Sequence, residues 1–486
     1  MLFRSALILV PMMVRADATG DTNNFNIDKS YDSLSRERIG AILIKVSDKA
    51  YFYIEKDYWD EQDNDQKNLI KANIGELASA FDNTIYPKLT KFYGSEWNPG
   101  IDDDKRITIL FHLMRNDYAG YFKEKDEYFK QQFPESNQRE MVYSNIYYLG
   151  KDIAKSYLAH EFTHLITFNN KNRIKQSPEE VWITEMRSEY APTLCGYNDN
   201  YAGSVLSVRA KKFLSNPTNS LTKWENALDD YATIDLFAHY FADHYGYGFL
   251  YKSLYSTTGD YKIFDEYLQS KGIKKDFKQV FLEWQIANLI NDCNVGPYYC
   301  YKTLGLKTLK VNPRVNFLPY SGESSLTVAD KIENISSRWY KVVGGDGIFE
   351  FEFKGTEDVN FIVPFLLEKK DGSYIVGGLD LKDGVNAKYN VLGFSQNYKS
   401  FYIIPTVFND PNQRNGGFPY SWTATSKESN IQPPPDDISG SNQIDSLSVT
   451  VLQKQLAMLQ QKLIQLLEAK IVELKAQLAL LLANKR

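Results

Sequence analysis

Residues 151–168, KDIAKSYLAHEFTHLITF, decide how the rest of the chain is read, because they contain His160-Glu161-Phe162-Thr163-His164. Positions four apart lie one above the other on a helix face, so His160 and His164 can aim two imidazoles at one ion. Glu161 sits beside them, placed to carry a proton. Leu158, Phe162, Leu165 and Ile166 form an apolar stripe to one side of the histidines, the pattern of a half-buried helix. Two imidazoles and a carboxylate at this spacing are the zinc-peptidase arrangement. The plain alternative is a pair of satisfied histidines on an ordinary helix, so the reading turns on a third ligand.

A catalytic zinc takes three protein ligands and leaves a fourth position for water. The third is expected in residues 177–192, SPEEVWITEMRSEYAP. Ser177 as N-cap, Pro178 at the first helical position, Glu180 closing a capping box and Pro192 as terminator predict a helix over 178–191. Glu185 and Glu189 share one face of it, and Glu185 follows His164 by 21 residues, room for a loop and an antiparallel return. Val181, Trp182, Ile183 and Met186 surround Glu185 in sequence, an odd place for a merely solvated charge. Here the sequence resembles the gluzincins, the thermolysin-like clan of zinc peptidases. Their pattern is HExxH followed by a helix with a Glu ligand, then a small residue and an acidic one. The resemblance makes His160, His164 and Glu185 the ligands of Zn2+ and Glu161 the general base. Ser188-Glu189 matches the following pair, with Glu189, where the clan often has Asp, hydrogen-bonding a ligand histidine to fix its tautomer.

Downstream, 205–214 and 231–245 read as helices, the second amphipathic through Ile234, Phe237, Ala238 and Phe241. A ligand helix followed by a Tyr-initiated helix ending in Tyr-Gly is similar to the smaller hyicolysin-like branch of the clan. That resemblance implies an oxyanion donor from a downstream Tyr or His: Tyr231, His239 or Tyr240. Tyr231 is favoured, because a helix start faces a cleft more readily; His239, with Asp235 and Asp243, reads as a solvated stripe. Helices over 264–271 and 277–292 complete the catalytic part. Upstream, 41–46, 51–54, 106–113 and 141–149 read as strands and 68–85 as a helix. The acidic run 59–65, WDEQDND, lacks the glycine and terminal Glu of an EF-hand and reads as a solvated helix start. His112, ending a strand, reads as structural.

The 486 residues suffice for two or three domains, and a net charge of −5 gives no footprint for nucleic acid. Residues 1–18 read as an export signal: Arg4, an apolar core from Ala6 to Val14 too short to span a bilayer, and a small-x-small site at Ala16-Asp17-Ala18. Cys293 and Cys300 bracket a turn that a local disulfide can close, and Cys195 is expected as a buried free thiol. Residues 308–427 carry strand-like runs over 348–353, 361–367, 373–376 and 401–408, punctuated by Asp-Gly turns, and predict a β-sandwich. Residues 428–445 are a Pro/Ser/Gly linker. Residues 446–484 carry leucines at heptad spacing with one stutter, predicting a coiled-coil helix for self-association or partner docking. Its lysines and glutamates argue against a transmembrane helix.

The expectation is an α+β protein: a thermolysin-like (zincin) catalytic domain over 19–300, with its zinc helices in about 151–191, then the β-sandwich and the coiled coil. Its expected activity is that of a secreted, extracellular or envelope-bound zinc metalloendopeptidase acting on polypeptides. The alternatives are a surface adhesin or structural protein with a degenerate peptidase domain, and a zinc aminopeptidase, although no GxMEN-type motif is present.

Overall fold

The structure, a computed structural model, describes residues 16–382, 384–409 and 416–427. Alternating and β-branched residues between 22 and 145 build one six-stranded sheet. Its strands are β1 (Thr22–Asn26), β2 (Arg38–Val46), β3 (Ala50–Glu55), β4 (Ile107–His112), β5 (Gly120–Phe122) and β6 (Met141–Asn145), in the order β1-β2-β3-β4-β6-β5. β3, β4 and β6 run parallel, and the short β5 pairs antiparallel with β6 at the edge. The three central strands are buried throughout, as parallel strands covered on both faces must be. Their side chains alternate between two cores. Phe52, Ile54, Ile109, Phe111 and Val142 face the helices, while Tyr51, Tyr53, Leu110 and Tyr143 join a smaller cluster with Phe25, Leu43 and Tyr121.

The acidic run ends as expected, in a helix start: Asp63 caps helix Asn64–Ala80, accepting from the Gln66 N–H at 2.8 Å, while the Gln66 side chain accepts from the Asp63 N–H at 3.0 Å. His112 is buried in the sheet beside Asp32 at 3.4 Å. The motif lies on helix Ile153–Thr167, packed against β5, β6 and helix Val181–Cys195.

That second helix departs from its sequence signals at both ends. The Ser177 hydroxyl donates instead to Thr257 O at 3.0 Å, and the Glu180 N–H donates to Gly259 O at 2.8 Å, so the chain stays extended until Val181. Pro192 lies buried inside the last turn, and the helix ends at Gly196 in a left-handed conformation, φ 86°. Packing of the last turn outweighs the helix-breaking tendency of the proline.

Residues 314–427 form two larger sheets, of five and four strands, that share an apolar core including Phe349, Phe351, Phe353, Phe401 and Trp422. Two of the expected strands are split. Phe361–Ile362 and Thr406–Val407 pair with each other in a small third sheet, while Pro364–Lys369 and Tyr398–Ile403 pair in the five-stranded one. Pro364 and Pro405 mark the switches, since neither can donate to a ladder. This region is welded to the helices rather than tethered to them. Trp339 Nε1 donates to Gln285 O at 3.0 Å, the Leu221 N–H donates to Ile335 O at 3.0 Å, and the Phe408 ring packs against Tyr261, Phe277 and Phe281.

Cys293 and Cys300 are joined, and Cys195 is a buried free thiol whose pKa burial pushes up to about 12. Of residues 1–18, read from the sequence as an export signal, 16–18 are described, and Asp17 accepts from Tyr53 Oη at 2.7 Å and Arg139 Nη1 at 2.6 Å. Residues 1–15, the linker from 428 and the heptad segment 446–484 lie outside the described residues. Among the described residues no helix is long and apolar enough to cross a membrane.

Candidate metal centre

Phe162 anchors the motif helix, its ring 5.1 Å from Phe81 and 5.4 Å from Tyr86, with Leu158, Leu165 and Ile166 buried beside it. Burying that face turns His160 and His164 toward helix Val181–Cys195. The two Nε2 atoms stand 3.1 Å apart, and Glu185 Oε2 lies 3.2 Å from the first and 3.5 Å from the second. A tetrahedron of ligands about 2.0–2.2 Å from its centre has edges of roughly 3.3–3.6 Å. The three atoms therefore nearly match one face of such a tetrahedron. Glu185 Oε2 is also buried with no hydrogen-bond donor of its own. Three ligand atoms converging on one point could hold a metal ion. The donor set of two imidazoles and one carboxylate is that of a catalytic site.

Surrounding groups fix each ligand. Glu189 Oε1 lies 3.2 Å from His160 Nδ1, which holds the proton there and leaves Nε2 free. Arg209, from helix Val205–Ser215, grips Glu189 with two bonds of 2.7 and 2.8 Å. Burial would raise the Glu189 carboxyl, but the Arg209 charge and the His160 bond outweigh it and hold the pKa at about 2. The longer Glu thus spans the distance in this chain. Ser188 Oγ stands 3.4 Å from His164 Nδ1.

Glu161 is buried, and burial chiefly pushes its carboxyl up to about 6. Edge strand β5 lies directly against it: a Cβ at Gly120 would fall 2.9 Å from Glu161 Oε1, so glycine lets the strand approach. Between them opens a cavity of about 180 Å³, lined by Tyr31, Tyr118, Gly120, Tyr121, Phe122, Asn226 and Tyr231 around the motif residues. A second cavity of about 440 Å³ shares Tyr118, Gly120, Asn226 and Tyr231, and extends to Tyr148, Tyr157 and Arg209.

Of the three oxyanion candidates, Tyr231 lines both cavities. Its hydroxyl donates to Asn226 Oδ1 at 2.8 Å, and its ring centre stands 6.3 Å from that of His160. Burial first, then the nearby Glu185 and Glu189 carboxylates, raise its pKa and keep the hydroxyl protonated. The other two face away from both cavities. Tyr240 is buried and donates to Tyr298 O at 2.7 Å. His239 is not on a solvated stripe: it is buried with Asp235, 3.2 Å from Thr193 Oγ1, its ring 4.7 Å from Tyr190. Burial holds its pKa down to about 3. The amphipathic pattern misplaced it because this helix, Leu228–Tyr245, is covered on more than one side.

Arg209, Asn226, Gly120 and the cleft tyrosines other than Tyr231 were not singled out from the sequence. Only Arg209 left a signal: it stands at helical spacing from the buried Leu206 and Phe213, and so on their face.

No family model and no curated protein sequence matches the chain. Three solved structures show local likeness. One is the pre-peptidase C-terminal domain of a collagenase from Bacillus anthracis, at 10% identity, covering 23% of this chain and 96% of that one, with a TM-score of 0.17. Another is PliG, a periplasmic inhibitor of g-type lysozyme from Aeromonas hydrophila, at 15% identity, 24% and 98% coverage and a TM-score of 0.16. The third is a mitogen derived from Yersinia pseudotuberculosis, at 11% identity, 25% and 98% coverage and a TM-score of 0.16. Scores this low bear on neither fold class nor function.

Proposed function

We propose that the chain is a zinc-dependent metalloendopeptidase of the gluzincin type, exported and acting on polypeptides. The observation that carries this reading is the convergence of His160 Nε2, His164 Nε2 and Glu185 Oε2 at 3.1–3.5 Å beside a buried Glu161. A zinc ion held by these three supplies a Lewis acid that makes water acidic enough to ionise near neutral pH.

The chain's own groups do the rest. Glu161 accepts the proton of the attacking water and returns it to the leaving amine. The Tyr231 hydroxyl, turned from Asn226, donates to the oxygen on which negative charge develops. Among the described residues β5 is paired on one side only, with β6, and its Gly120 and Phe122 line the cleft. An extended substrate can add to that edge as a further strand, placing its backbone across Glu161. The heptad segment 446–484 serves self-association or partner docking in this reading.

The test is casein hydrolysis by the purified chain, wild type against Glu161→Gln, with zinc quantified in both. About one zinc in each and cleavage by wild type alone is the expected result. Zinc in both and cleavage by neither would favour a binding protein, and zinc in neither would overturn the reading. Peptides with blocked and free amino termini separate endopeptidase from aminopeptidase.

A further inference from the structure

The cavity at the motif is the middle one of three strung along a single stretch of chain. The cavity of about 440 Å³ is lined by residues 116–120, and the one of about 180 Å³ at the motif by Tyr118 and by Gly120 to Phe122. A third, of about 850 Å³, begins at Lys123, the residue that follows β5. A second wall is continuous as well. Tyr31, stacked on Tyr121 with ring centres 4.4 Å apart, borders the motif cavity, and Asn26 to Lys29 border the third. Two bonds hold this wall to the first: the Asp28 N–H donates to Tyr121 Oη at 3.1 Å, and Lys123 Nζ donates to Asn26 O at 3.3 Å. Both walls therefore run from the motif into the third cavity.

That cavity answers its own charges. Lys29 pairs with Glu37 at 2.7 Å and Lys125 with Glu135 at 2.6 Å. Lys123 bonds Asp126 at 3.2 Å, Asp28 accepts from the Ser30 N–H and hydroxyl at 2.9 and 2.7 Å, and Glu124 accepts from Tyr128 Oη at 3.0 Å. Every charged side chain of the lining thus already has a partner. What remains is apolar: Ile27 and the rings of Tyr128 and Phe133, whose centres stand 5.1 Å apart. A charged guest would have to displace one of the pairs, whereas an apolar guest gains by covering the rings. An apolar lining with a few fixed polar groups is the usual make-up of a binding cavity of this size.

We propose that the third cavity is a distal subsite of the cleft, taking a large apolar or aromatic side chain of the polypeptide about three or four residues from the cleaved bond. Residues of an extended strand are about 3.3 Å apart, so Lys123 lies about 10 Å along the chain from Gly120, against which Glu161 sits. A chain laid on the open edge of β5 covers that distance and delivers its next side chains to Tyr128 and Phe133. On the peptidase reading, on which this subsite rests, the preferred substrate is an extended polypeptide with a bulky apolar residue set away from the bond.

The test is digestion of a proteome-derived peptide library by the full chain loaded with zinc, the cleaved positions being read by mass spectrometry. Wild type should enrich large apolar and aromatic residues over glycine by about 10-fold at one such distal position. Phe133→Ala should lose that enrichment, whereas Phe129→Ala, an exposed ring that does not line the cavity, should keep it. The enrichment is a ratio within each protein, so a change in overall rate does not blur it. Cleavage by wild type with no distal preference would overturn the subsite and leave the peptidase reading standing. So would a preference unchanged in Phe133→Ala, or lost equally in Phe129→Ala. If Phe133→Ala does not fold, Tyr128→Leu takes its place with the same outcomes. No cleavage of any peptide by zinc-loaded wild type overturns the peptidase reading itself, and the subsite with it.

Discussion

Glu185 and Glu189, and Glu127 and Glu140, are two pairs of buried carboxylates in opposite surroundings. The first pair meets two imidazoles and a guanidinium, so every charge has a counterpart and only the point between three ligand atoms is left open. Among the described residues no ion pair reaches the second pair, whose two carboxyls face each other. Burial alone therefore does not define a site. What separates the pairs is whether the fold supplies a counter-charge. Around Glu185 it does, whereas Glu127 and Glu140 answer burial by holding on to their protons.

The sharpest way to break this contrast is to remove one carboxylate from each pair. Glu185→Ala should lose zinc and all turnover, whereas Glu127→Gln should keep zinc. Metal analysis of the two purified variants decides it, and normal zinc in Glu185→Ala would refute the ligand assignment. Glu161→Gln is expected to keep zinc and lower kcat by about 10²–10⁴-fold, the range for a general base. Tyr231→Phe should keep zinc and lower kcat by about 10²-fold with little change in KM, the signature of a donor used in the transition state. Equal losses from Tyr240→Phe would move that role elsewhere. Glu189→Gln is expected to weaken zinc by about 10-fold, read by competition with a chelator, because the amide orients His160 less firmly.

How much of this was legible in sequence follows from geometry. His160, His164, Glu185 and Glu189 all sit at helical spacing, and a period of 3.6 residues turns a sequence pattern directly into a shared face. The same holds for the buried stripe Ile70, Ile74, Leu77 and Phe81, while the acidic run 59–65 showed a helix start without naming Asp63 as its cap. The rest is set by contacts between distant segments. Ser177 looked like an N-cap but bonds Thr257, 80 residues away. The switches at Pro364 and Pro405 depend on which sheet receives each half of a strand. Tyr118, Asn226 and Gly120 stand on loops and an edge strand, where no period applies. Glu127 and Glu140 belong to two ends of an irregular segment, so only the folded chain shows them facing one another.

The smallest expected effect concerns that second pair. Burial chiefly pushes Glu140 up to about 8, and burial together with the Glu140 charge raises Glu127 in the same direction. Burial also carries Asp102 to about 6 and raises Asp126, against which Lys123 acts; Arg139 acts on Asp102 but is held by Asp17. Unfolded, these carboxyls titrate at about 4. Between the two values the folded chain holds protons that the unfolded chain has released, so stability falls as pH rises. The contribution is complete below about pH 4 and is lost progressively toward about pH 8. Wild type should therefore melt lower at pH 8 than at pH 6, and Glu127→Gln/Glu140→Gln should flatten that slope. A wild type whose melting temperature stays level, with the double variant level too, would mean that the pair is hydrated like any surface carboxylates, and the contrast with Glu185 and Glu189 would vanish.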